Sequence, residues 1–255
     1  MATYRGAREW EVMREAGRVV ARTLEAVRDA AEPGISLAEL DAVAARSIKE
    51  LNAKPSFLRY HPDWSPIPYP ATICVSVNEV VVHGIPDGTV LRAGDLVSVD
   101  CGAELGGYHG DAAVTFAVGG TDEAGRRLMD ATRLALERAI EAAVPGGRMG
   151  DIGHAVERTA RENGYGILAG CSGHGIGTAM HEDPDVPNRG RPGHGPVLRE
   201  GLTIAIEPMF HEGGHDDAVL LGDGWSIATA DGSRAAHFEH SVAVTADGPV
   251  VLTLP

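Results

Sequence analysis

The sequence predicts an α+β fold in which two similar halves share one sheet and helices cover its outer face. Two internal repeats support this prediction. A pair of strands that carry acidic residues occurs twice, and so does a unit of two helices separated by a Pro-Gly break. Two half-domains joined through a common sheet account for these repeats better than two independent domains.

The helical unit comes first in each half. Residues 9–51 contain two runs of apolar residues at helical spacing, divided at Pro33-Gly34, and Ser36 is suited to cap the second helix. Residues 128–144 and 149–163 repeat the pattern around a Pro-Gly-Gly break. The halves meet near a turn at residues 119–122, where Asp122 can cap the next helix. We therefore expect one domain, residues 1–255, with half-repeats 9–120 and 121–255.

The acidic strands follow the helices in each half. Residues 91–100 align without gaps to residues 198–207, and residues 109–116 align to residues 237–244. The matched acids are Asp100 with Glu207 in the first pair of strands, and Asp111 with Glu239 in the second. Because carboxylate oxygens are the ligands of hard cations, the repeat predicts a metal site.

The alternation of side chains along these strands supports that prediction. Residues two apart share a face, so Val97 and Val99 lie opposite Ser98 and Asp100. In all four strands the acid lies among small residues, and the other face carries branched apolar residues suited to packing under helices. A solvent-facing acid on an amphipathic strand would explain any one of them. Four acids at matched positions make that simpler interpretation poor.

The composition excludes several classes of protein. A net charge of −14 argues against an extended basic surface that binds nucleic acid. No apolar run reaches the ~18 residues needed to span a membrane, and the first residues do not resemble a signal peptide. Three widely spaced cysteines without a CxxC pair indicate a reduced protein, so we expect a cytoplasmic location and no membrane association.

Three of the eleven histidines are notable for their sequence context. His83 ends an apolar run at a Gly/Pro turn, and His174 lies among glycines that would allow close approach of a metal or ligand. His181 follows seven residues later, before an acidic segment. Each taken singly is more often an ordinary loop or core residue than a functional one.

Residues 211–215 match the zinc-protease motif HExxH in their letters only. That motif requires a helix, which places both histidines on one face. Pro208 precedes the segment and two glycines lie within it, so a helix is not expected. We therefore do not interpret it as a zinc site.

The acids and histidines occur in an order that resembles the type I methionine aminopeptidases of peptidase family M24. Matching stretches extend over nearly the whole chain and include residues 74–84, 173–177, 206–208 and 238–241. The resemblance implies the pita-bread fold, with two pseudo-symmetric αβ halves around a curved antiparallel sheet. This agrees with the repeat.

The resemblance also implies a dinuclear metal centre. Asp100 would bind one divalent ion, Asp111 and Glu239 would bridge two, and His174 with Glu207 would complete the second. Oxygen ligands with one imidazole suit Co, Mn, Fe, Zn or Ni, which the sequence does not distinguish. A hydroxide bridging the ions would attack the first peptide bond, with Glu207 as proton shuttle. By the same resemblance, His181 would stabilise the tetrahedral intermediate and His83 would contact the scissile amide nitrogen.

Substrate selection would depend on an apolar pocket for the methionine side chain. Tyr69, Cys74 and Trp225 match the pocket positions of the family. Met180 stands where bacterial members usually have an aromatic residue, and its flexible thioether can still pack against methionine. Residues 61–68 depart from the family's shorter form, which leaves Tyr60 and Trp64 without an assigned role.

The implied function is removal of N-terminal methionine, before a small second residue, from peptides and from nascent chains at the ribosome. We expect a monomer that does not bind nucleic acid directly. One alternative is an Xaa-Pro aminopeptidase or dipeptidase of the same fold, which cleavage of Xaa-Pro peptides would reveal. Another is a binding protein on this scaffold that has lost catalysis, although such a protein would normally lack ligands that this chain retains.

Overall fold

The computed structural model describes residues 2–255, and within them the chain forms four helices and fifteen strands. In chain order these are α1 (Ala7–Ala30), α2 (Leu37–Glu50), β1 (Lys54–Pro55), β2 (Cys74–Val77), β3 (Val80–Val82), β4 (Leu96–Leu105), β5 (Tyr108–Ala117), α3 (Glu123–Glu141), α4 (Met149–Glu162), β6 (Gly166–Ile167), β7 (Gly173–Gly175), β8 (Glu182–Val186), β9 (Thr203–Ile206), β10 (Met209–His211), β11 (Ala218–Leu220), β12 (Ile227–Thr229), β13 (Ala235–His237), β14 (Glu239–Thr245) and β15 (Gly248–Val251).

Nine strands form one antiparallel sheet that both halves share. Its order is β1-β4-β5-β14-β9-β7-β8, with β2 also paired to β4 and β15 also paired to β14. The two copies of the acidic strand pair, β4-β5 and β9-β14, therefore lie side by side and meet at β5 and β14. The predicted fold class is confirmed. The predicted half-repeat boundary falls between β5 and α3, and the domain assignment itself stays a prediction.

Each half buries the apolar face of its strands under its own pair of helices. In the first half, Val97 and Val99 pack with Val20 and Leu40 of α1 and α2. In the second half, Ile204 and Ile206 belong to a cluster with α3 and α4, whose members include Leu128, Leu136, Ile152 and Val156. The alternation read from the sequence thus separates the helix-covered face from the face that carries the acids.

The helix boundaries agree with the capping residues better than with the apolar runs. Ser36 caps α2 and accepts a hydrogen bond from the Glu39 N–H at 3.3 Å, while Asp122 caps α3 and accepts one from Gly125 at 2.8 Å. Helix α3 therefore begins at Glu123, five residues before the predicted start. Residues 123–127 are charged or small and carry no apolar periodicity, which explains the late prediction.

Two buried hydroxyl groups connect the halves beside the central strands. The backbone ladder between β5 and β14 is short, with Glu239 opposite Ala113 and His240 opposite Ala112. At one end, the Ser241 hydroxyl accepts a hydrogen bond from the Asp111 N–H at 3.0 Å and donates one to the Asp111 carbonyl at 2.9 Å. At the other end, the Thr115 hydroxyl makes the same pair of bonds to the backbone of His237, each 2.8 Å long. The two strands can therefore separate at Asp111 and at His237 without leaving the backbone groups of these residues unpaired.

None of the helices within residues 2–255 has the combination of length and apolar character needed to cross a membrane. The three cysteines are all free thiols.

Candidate metal centre and substrate pocket

A cavity of about 810 Å³ opens over the acid-bearing face of the central sheet. All of the predicted site residues except Met180 line it; they are Tyr69, Cys74, His83, Asp100, Asp111, His174, His181, Glu207, Trp225 and Glu239. Residues separated by more than 150 positions therefore meet at one place. The cavity volume lies within the range of about 300–1,000 Å³ that is usual for small-molecule sites.

The acids reach the cavity floor from both halves of the sheet. Asp100 and Asp111 lie in β4 and β5, Glu239 begins β14, and Glu207 directly follows β9. His174 lies in β7, and its Nε2 is 3.6 Å from Asp111 Oδ2 and 3.8 Å from Glu207 Oε1. Asp111, His174 and Glu239 each present one ligand atom within 4.8 Å of the others.

Buried carboxylate oxygens at this floor have no hydrogen-bond partner. These atoms are Asp100 Oδ1, Asp111 Oδ1 and Glu239 Oε1. Burial, followed by the negative charge of Asp111, raises the pKa of Asp100 and of Glu239 well above their usual range. Unpaired buried carboxylates are costly, and a bound cation would remove that cost. The donor set of carboxylates and imidazole therefore fits a divalent metal ion.

The environment of His174 also favours positive charge. Burial alone would lower the pKa of this imidazole, but the net direction is upward because of its interaction with Asp111 and the charge of Glu207. Its Nδ1 lies 2.9 Å from the Gly175 carbonyl oxygen, which leaves Nε2 facing the acids. A ring held in this way presents one nitrogen to a cation.

His237 is a second buried imidazole at the floor that the sequence analysis did not select. Its Nε2 lies 3.5 Å from Glu207 Oε2 and 3.7 Å from Glu239 Oε2, without a hydrogen-bond partner. It also forms a possible ligand group with those two acids. His237 precedes Glu239 by two residues, and residues two apart on a strand share a face, so this spacing could have identified it. The chain is not one continuous strand here, however, because β13 ends at His237 and β14 begins at Glu239.

His83 and His181 are neutral imidazoles on the cavity wall. Burial lowers the pKa of His83 to about 4 and that of His181 to about 3. The His181 ring lies 4.1 Å from the His174 ring between centroids and stacks on Tyr60 at 4.9 Å. The His83 ring stacks on Trp64 at 5.9 Å. Tyr60 and Trp64, which had no assigned role, therefore each support one of the two histidines.

A buried ion pair fixes the turn that carries His181. The Arg5 guanidinium donates to both carboxylate oxygens of Glu182 at 2.7 Å, and Glu182 accepts a further bond from the Ala179 N–H at 3.0 Å. Arg5 also donates to Thr203 Oγ1 at 2.9 Å, and it packs so closely on Gly177 that a Cβ there would overlap it. Because Glu182 directly follows His181, this contact restricts the orientation of that imidazole.

Aromatic residues form the apolar side of the cavity. The Tyr69 and Trp225 rings meet edge to face with centroids 5.0 Å apart, and both side chains are buried. Tyr69 donates its hydroxyl hydrogen to the Gly84 carbonyl at 2.8 Å, and Trp225 Nε1 donates to the Ile67 carbonyl at 2.9 Å. Met180 belongs to the same apolar cluster but packs behind the wall, with its methyl group near Gly102. It contributes to the pocket through its neighbours rather than by lining it.

The false HExxH segment lies outside this cavity. His211 ends β10, and residues 212–215 form a turn rather than a helix, as the glycines predicted. His215 instead approaches Asp231, with Nε2 and Oδ2 3.2 Å apart.

Comparison with known proteins defines the class. The model of metallopeptidase family M24 matches residues 11–246, and the chain belongs to this family. Curated relatives up to 52% identical to this chain, and structural neighbours with TM-scores up to 0.95, are methionine aminopeptidases, and the resemblance to the type I enzymes is confirmed. Divalent metal use follows from membership of the family together with the carboxylate and imidazole groups at the cavity floor.

Two curated relatives and one crystal structure illustrate the similarity. The chain is 52% identical to methionine aminopeptidase 1 of Mycobacterium tuberculosis, covering 98% of this chain and 94% of the relative. It is 43% identical to methionine aminopeptidase 1 of Bacillus subtilis, covering 96% of each. The crystal structure of methionine aminopeptidase from Thermotoga maritima has a TM-score of 0.95 and 44% identity, with both chains fully covered.

A more distant likeness extends to the prolidase of Pyrococcus furiosus. Its TM-score is 0.76 at 23% identity, and the match covers 99% of this chain but 65% of that protein. This likeness concerns the fold alone.

Proposed function

We propose that the protein removes N-terminal methionine from peptides and nascent chains through a centre of two divalent metal ions. The observation that carries this proposal is the meeting of unpartnered buried carboxylates and His174 at the floor of a cavity with an aromatic wall. The similarity to methionine aminopeptidases over nearly the full chain supports the reaction and the substrate. The Xaa-Pro alternative has only the distant fold likeness in its favour.

The five predicted ligands would hold the metal ions. These are Asp100, Asp111, Glu239, His174 and Glu207, which would offer carboxylate oxygens and one imidazole nitrogen. Asp111, His174 and Glu239 each offer one ligand atom within 4.8 Å of the others, which supports a metal site among these residues. Bound divalent ions supply Lewis acidity, which polarises a carbonyl group and makes a water molecule nucleophilic near neutral pH. The donor set is compatible with Co, Mn, Fe, Zn or Ni.

The remaining residues would bind and orient the substrate. Tyr69, Cys74 and Trp225 enclose the methionine side chain, with Met180 packed behind them. Neutral His83 would contact the nitrogen of the scissile amide. Neutral His181 would donate a hydrogen bond to the carbonyl oxygen as negative charge develops there. Glu207 accepts the proton of the attacking water and passes it to the leaving amine. The low pKa values of His83 and His181 keep both rings neutral at physiological pH.

The cellular setting is also a proposal. A cytoplasmic location is supported by the three free cysteines, and the protein would act there as a monomer on nascent chains as they leave the ribosome.

A peptide assay tests the proposed reaction. The metal-loaded protein should release methionine from Met-Ala-Ser and leave both Ala-Ala-Ser and N-formyl-Met-Ala-Ser intact, because the pocket requires methionine and the site requires a free amine. Cleavage of Ala-Pro-Ser with no release of methionine would instead assign the protein to the Xaa-Pro enzymes. Absence of cleavage of all four peptides would support the non-catalytic alternative.

A further inference from the structure

Exposed apolar residues surround the mouth of the cavity. Trp64 is 53% exposed, Val219 45% and Leu220 56%, and all three line the cavity that contains His83 and Glu207. We call these three residues, together with Ala218 of the same cavity lining, the rim. Apolar side chains left in water beside a binding cavity mark a surface that a ligand covers.

The rim also contains an open sheet edge. Strand β11 is the outer strand of the sheet β11-β12-β3. The Leu221 N–H donates to the Ser226 carbonyl at 2.8 Å, and the Ala230 N–H donates to the Asp217 carbonyl at 3.2 Å. Because backbone bonds alternate along an antiparallel strand, the odd-numbered residues of β11 bond to β12 and the even-numbered ones point away.

The outward backbone groups therefore belong to Ala218 and Leu220. No residue within 2–255 makes a hydrogen bond to them at that edge. An unpaired edge can accept an extended peptide as an additional strand, with backbone hydrogen bonds giving affinity and side-chain contacts giving selectivity.

We propose that the rim binds the third to fifth residues of the substrate as an extended strand paired to β11, with an apolar side chain against Trp64 and Leu220. This inference rests on the proposed function, which places the bond between the first and second residues at the cavity floor. The Trp64 ring lies 5.9 Å from the ring of His83, the histidine assigned to the scissile amide. An extended chain advances about 3.3 Å per residue, so the third residue reaches the rim.

The charge of the cavity mouth adds a second element of selectivity. Asp185, an exposed residue of β8, lines the same cavity, and the protein as a whole is acidic. An acidic side chain at the third to fifth positions of a substrate meets like charge there, whereas an apolar or basic one does not. The rim therefore favours leucine over aspartate at these positions.

Pentapeptide amides test the side-chain part of the proposal. With metal-loaded enzyme, kcat/KM for Met-Ala-Leu-Ser-Ser should exceed that for Met-Ala-Asp-Ser-Ser by roughly five- to tenfold, mainly through KM, as expected for partial burial of one leucine. Leu220→Ser should reduce this ratio to within about twofold, because it removes the apolar contact. Leu134→Ser, at an exposed position of α3 outside the cavity, is the matched control and should leave the ratio as in the unmodified enzyme.

A backbone probe tests the strand pairing. Methylation of the amide nitrogen at positions three, four and five of the peptide, one at a time, should lower kcat/KM only at alternate positions, because every second residue faces β11. Equal losses at all three positions, or a leucine-to-aspartate ratio that Leu220→Ser does not change, would overturn the proposal. Failure to cleave any of these peptides, including Met-Ala-Ser, would instead refute the proposed function.

Discussion

His237 shows how one residue can set the orientation of several ligands. Its Nε2 faces Glu207 and Glu239, and no described residue offers that nitrogen a donor. A lone pair on this nitrogen would face two carboxylates, so we expect the N–H group of the imidazole at Nε2. An N–H group in this place steers carboxylates toward a metal, and removing such outer partners typically lowers metal affinity by about 10–100-fold.

Substitution of His237 tests this assignment. We expect His237→Ala to bind divalent metal about 10–100-fold more weakly in calorimetric titration of the metal-free protein, while His237→Gln, which retains an N–H donor, recovers most of the affinity. His83→Ala is the matched control, because it should keep the metal affinity and lose most of the turnover. Equal affinities in the alanine and glutamine variants of His237 would contradict the assignment.

Among the elements, the contact between β5 and β14 determines where the acids lie. We call this contact, with the Ser241 and Thr115 hydroxyl groups beside it, the joint. The buried hydroxyls of Ser241 and Thr115 replace ladder hydrogen bonds at the two positions where the strands separate. These positions are Asp111 and His237, so the candidate metal centre and the opening of the sheet occupy the same place. The joint is both a stabilising contact and a requirement of the site.

Removal of either hydroxyl should therefore be costly. Ser241→Ala and Thr115→Val each leave a buried N–H and a buried carbonyl without a partner, at an expected cost of about 1–3 kcal/mol in the free energy of unfolding. Chemical denaturation measures this cost, and Thr3→Ala at an exposed position is a suitable control. A change below about 0.5 kcal/mol in both joint variants, as usual for surface substitutions, would show that the strands close without the hydroxyls.

The sequence predicts the elements of the repeat and misses those without a pattern. The alternation in residues 97–100 and 204–207 gives the correct buried face, and Ser36 and Asp122 mark true helix starts. Strands of three residues such as β11 and β12 are too short to show a period. The rim and the small sheets therefore emerge only from the structure, because they depend on contacts between distant segments.

The same limit applies to the site. The four acids could be selected from the sequence because they lie at matched positions in the two copies of the repeat. His83, His174 and His181 could be selected because they lie in motifs of the family. His237 was missed because most histidines in a chain are incidental. Met180 was assigned to the pocket from its position in the sequence, but its side chain packs in the apolar cluster behind the cavity wall.

At the scale of the whole molecule, neither half carries a complete site. The first half supplies Asp100 and Asp111, and the second supplies His174, Glu207 and Glu239. The cavity wall is shared in the same way, with His83 from one half and His181 from the other. The similarity of the halves explains the matched acids, and segments outside the repeat, including Trp64 and β11, line the same cavity.

Methionine release should depend on metal bound where β5 and β14 meet. The most direct measurement is release of methionine from Met-Ala-Ser by metal-free protein titrated with divalent ions. We expect no release without metal and an increase as metal is added, with Asp111→Asn and Glu239→Gln inactive at every metal concentration. Full activity after exhaustive chelation, or unchanged activity in both variants, would show that methionine release does not require metal at this site.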